Sequence, residues 1–252
     1  MTRLSPPRTV HVEQCMGTVF SIDIRDPGDW ATAVAEVIAW LHEADRIFTT
    51  YNDESDISRI RRGELAVADA DPLVAPVLAL CQRAERETNG FFTAGWRGGI
   101  DPTGIVKGWA IERASDILRS RGSRNHSVNG GGDIQVAGEP EPGQPWHVGI
   151  ADPLHPGRVT AIAAGRDFAV ATSGTAERGA HIVDPRTGEP PHGLASATVT
   201  GSSLTLADAY ATAAFAMGPA GLDWARTLSG YEVLLVTPDG AVRQTAGFPR
   251  AE

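Results

Sequence analysis

The 252-residue sequence has only two cysteines, Cys15 and Cys81, at no CxxC or zinc-type spacing. That excludes a disulfide framework and a cysteine-held zinc, and both thiols are expected to be reduced in a reducing compartment. No run of 18 or more apolar residues occurs, and no apolar signal-peptide core stands ahead of Cys15. Membrane insertion, lipid anchoring and secretion are therefore not expected, and the expected location is cytoplasmic. Basic residues are scarce, 22 Lys and Arg against 31 Asp and Glu, a formal charge of −9. Such a field repels a polyphosphate chain, so no nucleic-acid partner is expected. A phosphate ligand would need a few local donors or a cation. Internal repeats, low-complexity linkers and a Walker A loop are also absent.

What remains is a globular composition, 42% apolar, 21% charged and 6% aromatic. The 28 glycines and 17 prolines have no period, which points to many short elements joined by tight turns. Alternation predicts strands over Thr9–Glu13 and Thr18–Ile24 with a bend at Met16-Gly17. Val34, Val37, Ile38 and Leu41 recur at helical spacing through Phe48, and further helices are expected over Leu73–Glu87 and Ile105–Arg119. Short strands follow at Asp133–Ala137, Trp146–Ile150, Val159–Ala163 and Phe168–Ala171, then helices Leu204–Met217 and Gly221–Leu228 and a strand Glu232–Thr237. The expected class is one α+β unit.

Four segments carry chemistry. Lys107 is the only lysine; a point charge on a flexible stem suits phosphate, although an arginine-biased composition can leave one lysine by chance. It stands in Asp101-Pro-Thr-Gly104-Ile-Val-Lys107, where a Gly-rich turn opens a helix whose free N–H groups favour anions. Asn129-Gly-Gly-Gly-Asp133 marks either a hairpin bend or a close approach to the backbone. Between Ala171 and Gly188, hydroxyls, a carboxylate and an arginine crowd around His181, a candidate proton acceptor or a surface histidine. In the late helix, Asp208 and Thr212 are four apart and share a face. Their oxygens suit magnesium, and the pair is equally ordinary first-turn helix chemistry.

In chain order the motifs are Met-Gly-Thr (16–18), Thr-Tyr-Asn with following serines (50–58), Asn-Gly-Phe-Phe (89–92), Asp-Pro-Thr-Gly-Ile-Val-Lys-Gly-Trp-Ala (101–110), Asn-Gly-Gly-Gly-Asp-Ile (129–134), Thr-Ser-Gly (172–174), His-Ile-Val-Asp-Pro-Arg-Thr-Gly (181–188) and Ala-Asp-Ala…Ala-Thr-Ala (207–213). Together they resemble the FAD:protein FMN transferase, or ApbE, family from Met16 to Gly218. The resemblance implies a magnesium-dependent enzyme that splits FAD at its pyrophosphate, joins FMN to a Thr or Ser of a target flavoprotein and releases AMP. It implies an α+β, T-fold-like architecture of mixed sheets with packed helices, one domain over residues 1–252, with a flavin cleft between two lobes. Met16 and Tyr51 then match flavin contacts, and Phe91, Phe92 and Thr93 belong with the cofactor-binding residues. Asp101 and Lys107 match nucleotide contacts around the phosphates. The Gly104 carbonyl, Asp208 and Thr212 match a magnesium site, and His181 with Asp208 the catalytic pair. Four features depart from the family pattern: Thr93 in place of a common Asp, a shorter 92–101 segment, a compressed segment between Ser173 and His181, and Ala176 in place of a common Tyr. Two rival readings keep the same site, an FAD pyrophosphatase using water and a flavin-binding carrier without turnover.

Overall fold

Thr9–Cys15 (β1) and Thr18–Ile24 (β2) pair antiparallel about Met16 and Gly17, both at positive φ, the two-residue turn that matches strand twist. The structure is a computed structural model, and it describes residues 8–96, 99–174 and 182–251. Helices α1 (Ala31–Phe48), α2 (Asp56–Arg61) and α3 (Val74–Glu87) follow. Two-residue strands β3 (Gly95–Trp96) and β4 (Gly99–Ile100) lead into α4 (Thr103–Ser120). Next come β5 (His126–Gly130), β6 (Asp133–Ala137), β7 (Trp146–Ala151), β8 (Val159–Gly165), β9 (Ala169–Gly174) and β10 (Ser196–Gly201). The chain closes with α5 (Leu204–Met217), α6 (Gly221–Ala225), β11 (Tyr231–Val236) and β12 (Val242–Gln244).

Eight strands form one antiparallel sheet in the order β1-β2-β5-β6-β9-β10-β11-β12. Side chains alternate across it. Val233 and Leu235 join the core under α1, α4 and α5, whereas Leu234 and Val236 pack with Ile150, Ala161 and Ala163 of the β7–β8 hairpin. A second apolar cluster joins α1, α3, α4 and α5 through Phe48, Val77, Phe92, Ile105 and Ala209. Helix α5 lies at the centre, with every residue but Thr212 and Met217 buried. A helix apolar all round belongs inside, and its alanines let neighbours approach closely. No helix among the described residues is long and apolar enough to cross a membrane.

The α+β class is as expected, and the bounds differ where tertiary packing decides. Strand β10, Ser-Ala-Thr-Val-Thr-Gly, was not anticipated because it is buried on both faces and does not alternate. Helix α4 begins at Thr103, ahead of the expected Ile105. Helix α6 ends at Ala225, before the expected Leu228, where the amides of Thr227 and Leu228 turn back to Trp224 and Ala225 in tighter three-residue bonds. Both cysteines are buried and free, and burial pushes Cys15 up to about 11 and Cys81 to about 12, so neither is a thiolate near neutrality.

One buried polar chain gives stability a pH dependence. His126 is fully buried between Ser115 Oγ on Nε2 at 2.8 Å and Ser123 Oγ on Nδ1 at 2.9 Å. Ser123 in turn donates to Asp26 Oδ2 at 3.0 Å, which also accepts the amides of Arg124 and Asn125. Burial, reinforced by Arg119, pushes the imidazole down to about 4. The unfolded chain takes up this proton near pH 6.5 and the folded chain near pH 4. The contribution is therefore complete above pH 6.5 and is lost as pH falls to 4, a total of about 3 kcal/mol. Urea unfolding from pH 7 to 4 is expected to show this slope, and His126→Asn to flatten it by that amount.

Candidate active site

Helices α4 and α5 touch at Gly108. A Cβ there would lie 2.6 Å from the Leu204 carbonyl and 2.8 Å from Asp208 Cβ, so only glycine permits this approach. The contact brings the Gly108 N–H to Asp208 Oδ2 at 3.0 Å. In a regular helix that N–H points at the carbonyl of residue 104. The Gly104 carbonyl and the buried Asp208 carboxylate thus converge on one proton. Glu112 fixes the other end of the contact: it accepts Ser203 Oγ at 2.7 Å and the Thr205 amide at 2.8 Å, capping α5 from α4.

The convergence opens into a cavity of about 370 Å³. Gly104, Lys107, Asp208 and Thr212 line it, and so do Phe91, Phe92, Thr93 and Asp101. Thr172, Ser173 and Gly174 of β9 and Ala195 and Ser196 at β10 form another wall. Thr212 Oγ1 stands 3.2 Å from Ser173 Oγ. Asp101 Oδ1 accepts the Thr103 amide at 3.1 Å and its hydroxyl at 2.7 Å, which starts α4 at the cavity edge. Arg186 lies over the Phe91 ring, 4.6 Å from its centroid, so the 182–188 turn straps the aromatic side of the mouth.

Lys107 is paired with Asp133 and lies 3.8 Å from Asp208 Oδ2. Asp133 is 1% exposed, and its Oδ1 accepts the Thr172 amide at 3.0 Å. The ammonium is therefore pinned by a buried carboxylate that β9 also holds. Of the Gly-rich segment, Gly131 and Gly132 make the β5–β6 turn at positive φ, and at Gly130 a Cβ would fall 2.6 Å from the Phe20 ring. Both meanings of that segment hold at once, a bend and a close approach.

Other candidates lie apart. Tyr51 is fully exposed, Met16 sits at the β1–β2 bend with its amide on Asp45 Oδ2 at 3.3 Å, and neither lines the cavity. His181 and Ala176 lie outside the described residues. Two residues were not anticipated. Asp133 was visible only as the end of a glycine run, and its pairing with Lys107 depends on the β5–β6 hairpin meeting α4. Ser196 is 3% exposed, lines the cavity, and its Oγ has no hydrogen-bond partner among the described residues. No signal in the sequence marks it.

The donor set suits magnesium. Among the described residues no group of three or more His, Cys, Asp or Glu could hold a metal, but Mg²⁺ takes one or two carboxylates with neutral and water oxygens. Asp208, the Thr212 hydroxyl and the Gly104 carbonyl are of that kind. The lining carries Asp101, Asp152 and Asp208 against Lys107, a negative balance that a diphosphate could approach only with a cation.

The sequence model of the ApbE family matches residues 16–98 and 96–235. The chain belongs to the ApbE family. A relative, the FAD:protein FMN transferase of Vibrio cholerae serotype O1, is 28% identical over 276 residues, covering 84% of this chain and 83% of the relative. That of Rhodobacter capsulatus is 35% identical over 157 residues, 58% of this chain and 29% of the relative, so the chain spans under a third of that longer protein. The crystal structure of the ApbE protein of Thermotoga maritima superposes with a TM-score of 0.85 at 23% identity, over 97% of this chain and 100% of that one. The α+β architecture is therefore that of ApbE proteins.

Proposed function

We propose that the chain is a magnesium-dependent FAD:protein FMN transferase. The observation that carries this reading is the convergence of Gly104, Asp208, Thr212 and Lys107 on one cavity, in a chain of the ApbE family. Mg²⁺ held by the Gly104 carbonyl, Asp208 and Thr212 would neutralise charge on the diphosphate as its anhydride bond breaks. Lys107, steadied by Asp133, adds a fixed positive charge beside the same phosphates. Phe91 and Phe92 supply an apolar wall for the isoalloxazine ring. The acceptor hydroxyl oxygen forms a bond to the FMN phosphorus, the bond from that phosphorus to the AMP phosphate breaks, and AMP leaves. His181 takes the hydroxyl proton. With charge and placement supplied by the site, positioning does most of the work.

The test is incubation of the protein with FAD, Mg²⁺ and a library of synthetic peptides, each with a single Thr or Ser. The expected result is a peptide mass gain of one FMN, with AMP released only when a peptide is present. AMP released equally without peptide would make the chain an FAD pyrophosphatase. No AMP in either case would leave a flavin-binding carrier.

A further inference from the structure

Among the described residues, strand β7 is paired on one side only. Its partner β8 is covered on the far edge by the C-terminal segment, where Ala164 N donates to Pro249 O at 2.7 Å and Ala251 N to Ile162 O at 2.8 Å. In an antiparallel ladder both backbone groups of a residue point to one side, and the side alternates along the strand. With Ile162 and Ala164 turned to the tail, Ala161, Ala163 and Gly165 turn to β7, opposite Ile150, Val148 and Trp146. The same alternation turns His147, Gly149 and Ala151 the other way. Their N–H and C=O groups meet no other element among the described residues, and all three residues are exposed.

An exposed edge of this kind is a template for another strand unless something blunts it. Among the described residues nothing does so over Trp146–Ile150: β7 has no proline, no Lys, Arg, Asp or Glu, and its ladder is regular there, the one register shift falling between Ile150 and Ala151, where the extra residue is on β8. Gly149 and Ala151 are also small, which leaves room for a second backbone alongside. The strand runs into the cavity, because Ala151 and the following Asp152 and Pro153 line it. A chain laid along β7 would thus reach the cavity wall.

We propose that this edge is the docking site for the polypeptide that receives FMN, bound in extended form as an added strand with its Ser or Thr hydroxyl delivered at the Ala151 end. The inference rests on the transferase reading, which requires a protein segment to enter the cavity, and adds how that segment is held. Main-chain hydrogen bonds supply the affinity in such strand addition, and side-chain pockets the selectivity.

The test uses the most efficiently labelled peptide of the library and its unreactive form with Val in place of the acceptor residue. Addition of the Val peptide with FAD and Mg²⁺ is expected to slow amide hydrogen exchange at His147, Gly149 and Ala151. Gly149→Pro removes one outward N–H and no β7–β8 bond. It is expected to lower kcat/KM for peptide labelling at least about tenfold, with FAD affinity, read by flavin fluorescence, unchanged. The exchange measurement on the unaltered chain stands even if the proline variant does not fold. Unchanged exchange at 147–151, or peptide protection confined to another surface, would overturn the edge while leaving the transferase intact. Protection already present without peptide and rising with protein concentration would give the edge to a second copy and overturn it too. If no peptide is labelled at all, the transferase reading fails and the edge proposal falls with it.

Discussion

Asp208→Asn is expected to lower FMN transfer by about 10²–10³-fold, the scale of losing one charged group from a preorganised electrostatic site. The asparagine keeps the size and one carbonyl oxygen, so the Gly108 N–H retains an acceptor and the α4–α5 contact keeps its form. What is lost is the negative charge that, in the proposed function, seats a divalent cation beside Gly104 and Thr212. Activity should therefore recover partly at high Mg²⁺, and the Mg²⁺ concentration for half-maximal rate should rise. Asp208→Ala adds a second defect, because it also removes the hydrogen bond from Gly108 N–H that ties α4 to α5, at a cost of about 0.5–1.5 kcal/mol. Steady-state AMP release at varied Mg²⁺, with thermal unfolding alongside, separates the two. Transfer within threefold of the unaltered chain at the same Mg²⁺ dependence would remove Asp208 from the metal site.

Gly108→Ala is expected to damage both stability and activity. Elsewhere in a helix this change is favourable by about 1 kcal/mol. Here the new Cβ would sit 2.6 Å from a backbone oxygen and 2.8 Å from Asp208 Cβ, and neither can swing aside. The two helices must separate, and overpacking of this sort costs about 1–3 kcal/mol. A fall in Tm of about 2–10 °C follows for a chain of this size. The displacement acts on the same atoms that form the site, since Gly108 N, the Gly104 carbonyl and Asp208 lie together. A shift of about 1 Å is enough to cost about 10²-fold in rate. The measurement is transfer rate at a temperature where the variant is fully folded by circular dichroism. Full activity there would show that the close approach serves packing alone.

The sequence alone determined the local elements and the local faces. The β1–β2 hairpin, helix α3 to within a residue of its start, and helix α5 at both its ends followed from periodicity, because apolar spacing reports which side of an element is buried. The shared face of Asp208 and Thr212 followed from the helical repeat, and the Gly-rich turn before Asp133 from the cost of three glycines in a strand. Tertiary structure decided everything that depends on two distant segments meeting. It joined Lys107 to Asp133 across 26 positions and Gly108 to Asp208 across 100, buried Ser196, and left Tyr51 in solvent. Strand β10 was hidden for the same reason, since a strand covered on both faces carries no alternation to read. Periodicity records only the neighbours a residue has along its own element. Ion pairs, close approaches and the free edge of β7 arise from the packing of elements against each other, which no single stretch of sequence encodes.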